Sequence, residues 1–262
     1  MRWILLALLI FTTTATAKPS HFVYNITANR PVSGQHIQES RPIASLTKLM
    51  TAIVVLKNNP KFTQEIPYKG HVLIGKTQTI EHLLESLLVR SDNMAAEALA
   101  DNWEGGRKKF IEEMNKEAKH LKLTSTRFAD PSGLNKNNIS TAGELVVLLI
   151  EANKYNVIKK FSTTKQIQFE KRIGKKLKVL SIPNTNRKLL FDFDNIVISK
   201  TGFTNPAGRC LAMVVEKNKE LYAVVILGEP TFESRELTAR TLIYNILIHE
   251  YDYDDKNPQM GY

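Results

Sequence analysis

Strand-like runs stand at both ends of this chain, and runs with helical periodicity fill the stretch between them. Residues 21–26 are an apolar-rich run that suits a strand. Residues 166–169, 177–182, 195–200, 210–216 and 221–227 read as further strands, the last two forming a hairpin around Lys217, Asn218 and Lys219. Between these ends, residues 45–56 place apolar side chains at 46, 49, 50, 53 and 54. That is the 3.6-residue period of an amphipathic helix, which Asn58, Asn59 and Pro60 end. Residues 80–89 and 93–103 read as helices broken at Arg90, Ser91 and Asp92, and 107–121, 142–153 and 233–249 as three more. Thr141 and Glu144 have the spacing of a capping box, while Asn29, Arg30, Pro31, Ser33 and Gly34 read as turns. Strands at both ends with helices between predict an α+β fold in which one antiparallel sheet carries the helices.

The N-terminus bears on where such a domain works. Arg2 precedes an apolar run over 3–11, and a small-residue stretch ends in Ala15-Thr16-Ala17. This is the pattern of a secretory signal peptide with an A-x-A site, so cleavage after Ala17 is expected. The run is shorter than the roughly 20 residues of a membrane span, so no integral membrane segment is expected after its removal. An uncleaved signal anchor is the alternative. Residues 1–17 hold one Arg and no acid, so residues 18–262 carry 35 Lys+Arg against 26 Asp+Glu, a net +9. Arg107, Lys108 and Lys109 form one basic cluster, and Lys171, Arg172, Lys175 and Lys176 another. No aromatic-studded basic motif accompanies them. Outside the cytosol, an anionic envelope polymer is therefore the expected partner, and nucleic acid is not.

With 262 residues, 43% of them hydrophobic, the chain can bury a full core without staples. Its single cysteine, Cys210, excludes an intramolecular disulfide, and its apolar surroundings mark it as a small buried hydrophobe. The six His residues form no H-x-x-x-H pair, and His82 with Glu85 reads as a surface pair, so neither a metal nor a cofactor is expected.

Three short motifs carry the chemistry. In Ser45-Leu46-Thr47-Lys48, at a helix start, Ser and Lys stand at i and i+3, neighbours on one helix face. A serine hydroxyl needs a base to become a nucleophile, and a lysine serves only if burial or a nearby cation lowers its pKa. In Ser91-Asp92-Asn93, the hydroxyl can pass a proton between Lys48 and a leaving group, and the Asn93 carboxamide can hold a substrate amide. In Lys200-Thr201-Gly202, at a strand end, Lys200 supplies the second cation and Thr201 a hydrogen bond for a substrate carboxylate. Gly202 lets substrate backbone lie along the strand edge. Each motif alone is weak; all three in order, each at the right kind of element end, are specific.

With these motifs the chain resembles the penicillin-binding proteins and serine β-lactamases. Residues 41–52 (RPIASLTKLMTA) and 200–213 (KTGFTNPAGRCLAM) are similar to the low-molecular-mass D-alanyl-D-alanine endopeptidases, the penicillin-binding protein seven/eight group. Thr126-Arg127-Phe128, Pro131-Ser132-Gly133-Leu134 and Asn184-Thr185-Asn186 fit the same group. The resemblance implies a transpeptidase-like fold: a five-stranded antiparallel sheet flanked by helices, with an all-helical subdomain. With the signal peptide at 1–17 and a polar tail at 251–262 expected to be flexible, it implies a penicillin-binding serine peptidase domain at 18–250. It further implies acyl transfer through Ser45, with the backbone N–H groups of Ser45 and Phe203 as oxyanion hole and Arg235 near the substrate carboxylate. Carboxypeptidase relatives tend to carry an Arg in the loop that 184–186 resembles; Thr185 stands in its place here.

The expected substrates are peptide cross-links of peptidoglycan in the periplasm, and β-lactams should acylate the same serine. No Glu between 94 and 199 is followed four residues later by Asn, which disfavours a class A β-lactamase. About a dozen residues follow the last expected helix, and their acidic character lacks the apolar face of an anchor helix. That favours an endopeptidase over a D-alanyl-D-alanine carboxypeptidase. A non-catalytic penicillin sensor is the rival from outside the enzymes.

Overall fold

In a computed structural model, residues 18–73, 75–173 and 176–248 are described. The expected signal peptide at 1–17 and flexible tail at 251–262 lie outside the described residues. The chain opens with β1 (Ser20–Asn25), β2 (Arg30–Gln35), β3 (Arg41–Pro42), a 3-10 turn (Ala44–Leu46) and α1 (Thr47–Lys57). A small hairpin, β4 (Glu65–Pro67) and β5 (Thr77–Thr79), leads into α2 (Ile80–Val89), α3 (Asn93–Asp101) and α4 (Gly106–His120). Then come β6 (Ile139–Ser140), α5 (Ala142–Ala152), α6 (Asn156–Thr163) and the hairpin β7 (Gln166–Ile173) and β8 (Lys176–Pro183). The last part is α7 (Arg187–Asp192), β9 (Ile196–Thr204), β10 (Gly208–Lys217), β11 (Glu220–Glu229) and α8 (Phe232–Ile248).

The main sheet has five strands in the order β2-β1-β11-β10-β9, each pair antiparallel, as expected. Successive side chains of a strand point to opposite faces. In β10, Leu211, Met213 and Val215 face one way, packing with Leu242, Ile243 and Ile246 of α8. Cys210, Ala212 and Val214 face the other, packing with the helical layer. Both faces are covered, so β10 and β11 read as continuous apolar runs rather than alternating ones. Each buried Leu, Ile, Val or Met among these contributes roughly 1.5–3 kcal/mol.

Several local expectations change. The segment 30–34 is β2, not turns. Pro31 is tolerated because β2 is an edge strand and its register shifts opposite Val23 and Tyr24. The helix expected over 45–56 begins as a 3-10 turn, and α1 is not amphipathic: every residue from Thr47 to Leu56 is buried. It is the central helix of the helical layer, enclosed by α2, α3, α4 and α5. The short helices α6 and α7 escape sequence reading because each spans at most about two turns. Their anchors, Ile158 and Phe161, and Leu189 and Leu190, become legible only against the sheet and α2. The capping box is half formed. Thr141 Oγ1 accepts from Glu144 N, but the Glu144 carboxylate turns away to Ser125 N and Thr126 Oγ1.

β9, an edge of the sheet, packs against α6 and the 3-10 turn. That places the third motif beside the first. The second motif sits in the break between α2 and α3, and the three meet at this edge.

Candidate active site

Ser45 sits in the middle of the 3-10 turn, and the residue before it is strained. Ala44 has φ +46°, a left-handed conformation that L-residues adopt at a cost of roughly 1–3 kcal/mol. Two glycines make room for this turn. A side chain on Gly202 would stand 3.0 Å from Ile43 O and 3.1 Å from Ser45 N. Gly202 thus has a second reason to be glycine: it lets β9 lie against the Ser45 amide. Gly133 has φ +87°, and a Cβ there would collide with the Ala44 carbonyl oxygen. Gly133→Ala is therefore expected to lower unfolding free energy by about 3 kcal/mol, read as a lower urea midpoint at unchanged slope.

Lys48 is completely buried one helical turn below Ser45. Its Nζ lies 2.9 Å from Ser45 Oγ and donates to Asn93 Oδ1 at 2.7 Å and to the Ser132 carbonyl at 2.5 Å. Burial lowers its pKa to about 7, against the opposing pull of Asp130, Asp92 and Glu97. The second cation was expected to share in this effect. The repulsion instead shows on Lys200, whose pKa falls well below the usual range through burial and then through Lys48.

Ser91 and Asn93 divide differently from the expectation. Ser91, at φ +62° in the helix break, accepts a hydrogen bond from Lys200 Nζ at 2.8 Å. No hydrogen bond joins Ser91 to Lys48 among the described residues. Asn93 is the partner of Lys48, which leaves its Nδ2 for a substrate. Asp92, between them, holds the break in shape. It accepts from Tyr68 OH at 2.6 Å, from Ser86 Oγ at 2.9 Å and, as N-cap of α3, from Met94 N at 2.9 Å.

Lys200 also donates to the Thr201 carbonyl, and Thr201 Oγ1 donates to Thr185 Oγ1 at 2.7 Å. Thr185, the departure noted in the loop, thus ties the third motif to the segment after β8. Phe203 is half exposed at the mouth, with the Arg209 guanidinium 3.6 Å above its ring. Arg235 is buried in the first turn of α8, paired with Glu236 at 3.3 Å and lying over the Phe232 ring. Among the described residues no hydrogen bond joins it to Lys200 or Thr201. Cys210 is buried, its thiol pushed up to about 11 by desolvation.

Sequence reading gave no role to one part of the site, although residues 131–134 were among those that carry the resemblance. The loop from Asp130 to Asn135 supplies the Ser132 carbonyl to Lys48. Asp130 knits this loop by accepting from the backbone N–H groups of Ser132, Gly133 and Asn135. A backbone acceptor leaves no mark of residue type; the visible signal was the Asp130-Pro131-Ser132-Gly133 turn composition.

Comparison with known proteins bears on this geometry. Residues 12–231 match the Peptidase S11 family, described as D-alanyl-D-alanine carboxypeptidase. The chain is 36% identical over 222 residues to the D-alanyl-D-alanine endopeptidase of Escherichia coli (strain K12), covering 80% of this chain and 71% of that one. The Streptomyces K15 DD-transpeptidase superposes with a TM-score of 0.77 at 26% identity, over 86% of this chain and 94% of that one. Penicillin-binding protein D2 of Listeria monocytogenes, in its cefotaxime-bound form, superposes with a TM-score of 0.75 at 25% identity, over 86% and 95%.

Proposed function

The chain belongs to the Peptidase S11 family of D-alanyl-D-alanine peptidases, and from that premise we propose that it hydrolyses D-alanyl cross-links of peptidoglycan through an acyl-enzyme at Ser45. The observation that carries the chemistry is the set of contacts on Lys48 Nζ. A neutral amine has two N–H donors and one lone pair. Asn93 Oδ1 and the Ser132 carbonyl are acceptors only and take the two donors, so the lone pair is left for Ser45 Oγ. With a pKa of about 7, a large share of Lys48 is in that neutral form near pH 7.

In this reading Ser45 Oγ attacks the D-alanyl carbonyl as Lys48 takes its proton. The Ser45 and Phe203 N–H groups meet the oxyanion. The proton Lys48 has taken then passes through the Ser91 hydroxyl, which takes it up as it gives its own to the leaving amine, while Lys200, Thr201 and Arg235 serve the carboxylate beside the scissile nitrogen. Water then releases the acyl group. A β-lactam enters the same path and acylates Ser45. Likeness to the Escherichia coli endopeptidase supports a cross-link as substrate over a terminal D-Ala-D-Ala. The export signal at 1–17 would deliver the domain to the periplasm, where that polymer lies.

The protein recovered from the periplasm is expected to begin at Lys18. Offered purified cross-linked muropeptide dimers and pentapeptide monomers, it should consume the dimers. Loss of the monomers instead would identify a carboxypeptidase. An inert acyl-enzyme releasing no product from either would identify a penicillin sensor.

A further inference from the structure

A chamber of about 600 Å³ opens beside the third motif. Its wall starts at the site: Thr185, the partner of Thr201, and the buried Arg235 both line it. It then passes Phe191 and Phe232, which are 61% and 39% exposed. Arg90, Arg187 and Lys188 stand around it, all exposed. Its two acids are already matched, Glu236 with Arg235 and Arg240, and Asp192 with Arg240. Arg90, Arg187 and Lys188 make no ion pair among the described residues. Lys165 Nζ stands over one face of Phe191 and the Arg235 guanidinium over one face of Phe232. Three unpaired cations around two partly exposed aromatic rings suit a ligand with an aliphatic body and several negative charges.

Size discriminates between leaving groups. A carboxypeptidase expels a single D-alanine, with one methyl and one carboxylate. Pockets of about 300–1,000 Å³ hold drug-sized ligands, far larger than an alanine. The leaving strand of a cross-link is larger: a carboxylated diamino acid whose aliphatic chain carries the scissile nitrogen, followed by the rest of a stem peptide. We infer that this chamber is the subsite for that leaving strand. The carboxylate next to the scissile nitrogen meets Thr201 and Arg235, the aliphatic chain lies on Phe191 and Phe232, and the remaining carboxylates meet Arg90 and Lys188. The inference rests on the cross-link reading and adds to it the surface that selects a peptide over a lone D-alanine.

The test is the double variant Arg90→Glu with Lys188→Glu, compared with the native protein in three reactions. For cross-linked dimers, kcat/KM should fall about tenfold or more, because two attractive charges become repulsive. Labelling by a fluorescent penicillin should stay within about twofold, since its ring-opened leaving group remains tethered and has no second strand. Whatever D-alanine the native protein releases from a short N-acylated peptide ending in D-Ala-D-Ala, slow beside dimer cleavage, should be released at the same rate by the variant. A binding measurement keeps the question separate from turnover. The Ser45→Ala protein should bind a stem tripeptide ending in diaminopimelate, and bind it about tenfold less well with the two charge reversals. Unchanged dimer cleavage and unchanged tripeptide binding overturn the inference, and so does a parallel fall in all three reactions. If the native protein cleaves no dimer, the cross-link reading fails, and the tripeptide titration alone decides whether the chamber takes the diaminopimelyl strand.

Discussion

Replacing Lys48 with Arg is expected to slow acylation of Ser45 by a fluorescent penicillin about a thousandfold or more, within the range that a general base contributes. The reason is protonation rather than charge. Guanidinium has no acceptor and stays protonated above pH 12, so it cannot take the hydroxyl proton. Lysine can, because complete burial brings its pKa to about 7. The base is the neutral amine, so the native acylation rate should climb as pH rises through about 7 and level off above it. In the variant that limb should vanish. Arg is also longer and planar, and cannot reproduce the contacts to Ser45, Asn93 and Ser132, so Lys48→Met is the control for shape. It keeps the buried stem, removes the base, and should be as slow as Lys48→Arg. Near-normal acylation in either variant would move the proton acceptor to Ser91 or to a water.

How much of this was legible in the sequence depends on what each residue's role leaves behind. Side-chain roles with fixed spacing were visible: Ser45 and Lys48 one turn apart, Ser91 and Asn93 in a helix break, Lys200 at a strand end. Which of them touch was not. Asn93 rather than Ser91 holds Lys48, and Ser91 holds Lys200, because partners depend on how the α2–α3 break faces β9, a tertiary fact. Backbone roles were also hidden. The Ser132 carbonyl could come from any residue type, and Gly133 marks it only through the close approach to Ala44. For the fold, strands at both ends foretold the antiparallel sheet, since β1 must find β11. Periodicity placed α1 but misjudged its exposure, reading an amphipathic helix where the helix is enclosed on all sides.

Ser45→Ala is expected to abolish covalent labelling by penicillin while leaving the fold intact. The substitution removes one half-exposed hydroxyl and its contact with Lys48 Nζ. A single hydrogen bond is worth about 1 kcal/mol, and Asn93 and Ser132 still hold the amine, so the urea midpoint should shift little. Two of the neighbouring nucleophilic side chains cannot take over. Cys210 is fully buried, with its thiol raised to about 11, so almost none is thiolate near neutral pH. Ser132 is buried, and its hydroxyl donates to Asp130 Oδ1 at 3.2 Å. Ser91 faces Lys200, whose pKa is also lowered, which makes it the one hydroxyl with a second candidate base. Intact-mass measurement after prolonged incubation with penicillin separates the cases. No adduct on Ser45→Ala assigns the acyl group to Ser45. An adduct that persists there, and disappears when Ser91→Ala is added, would make Ser91 a nucleophile and reverse the roles of the two serines.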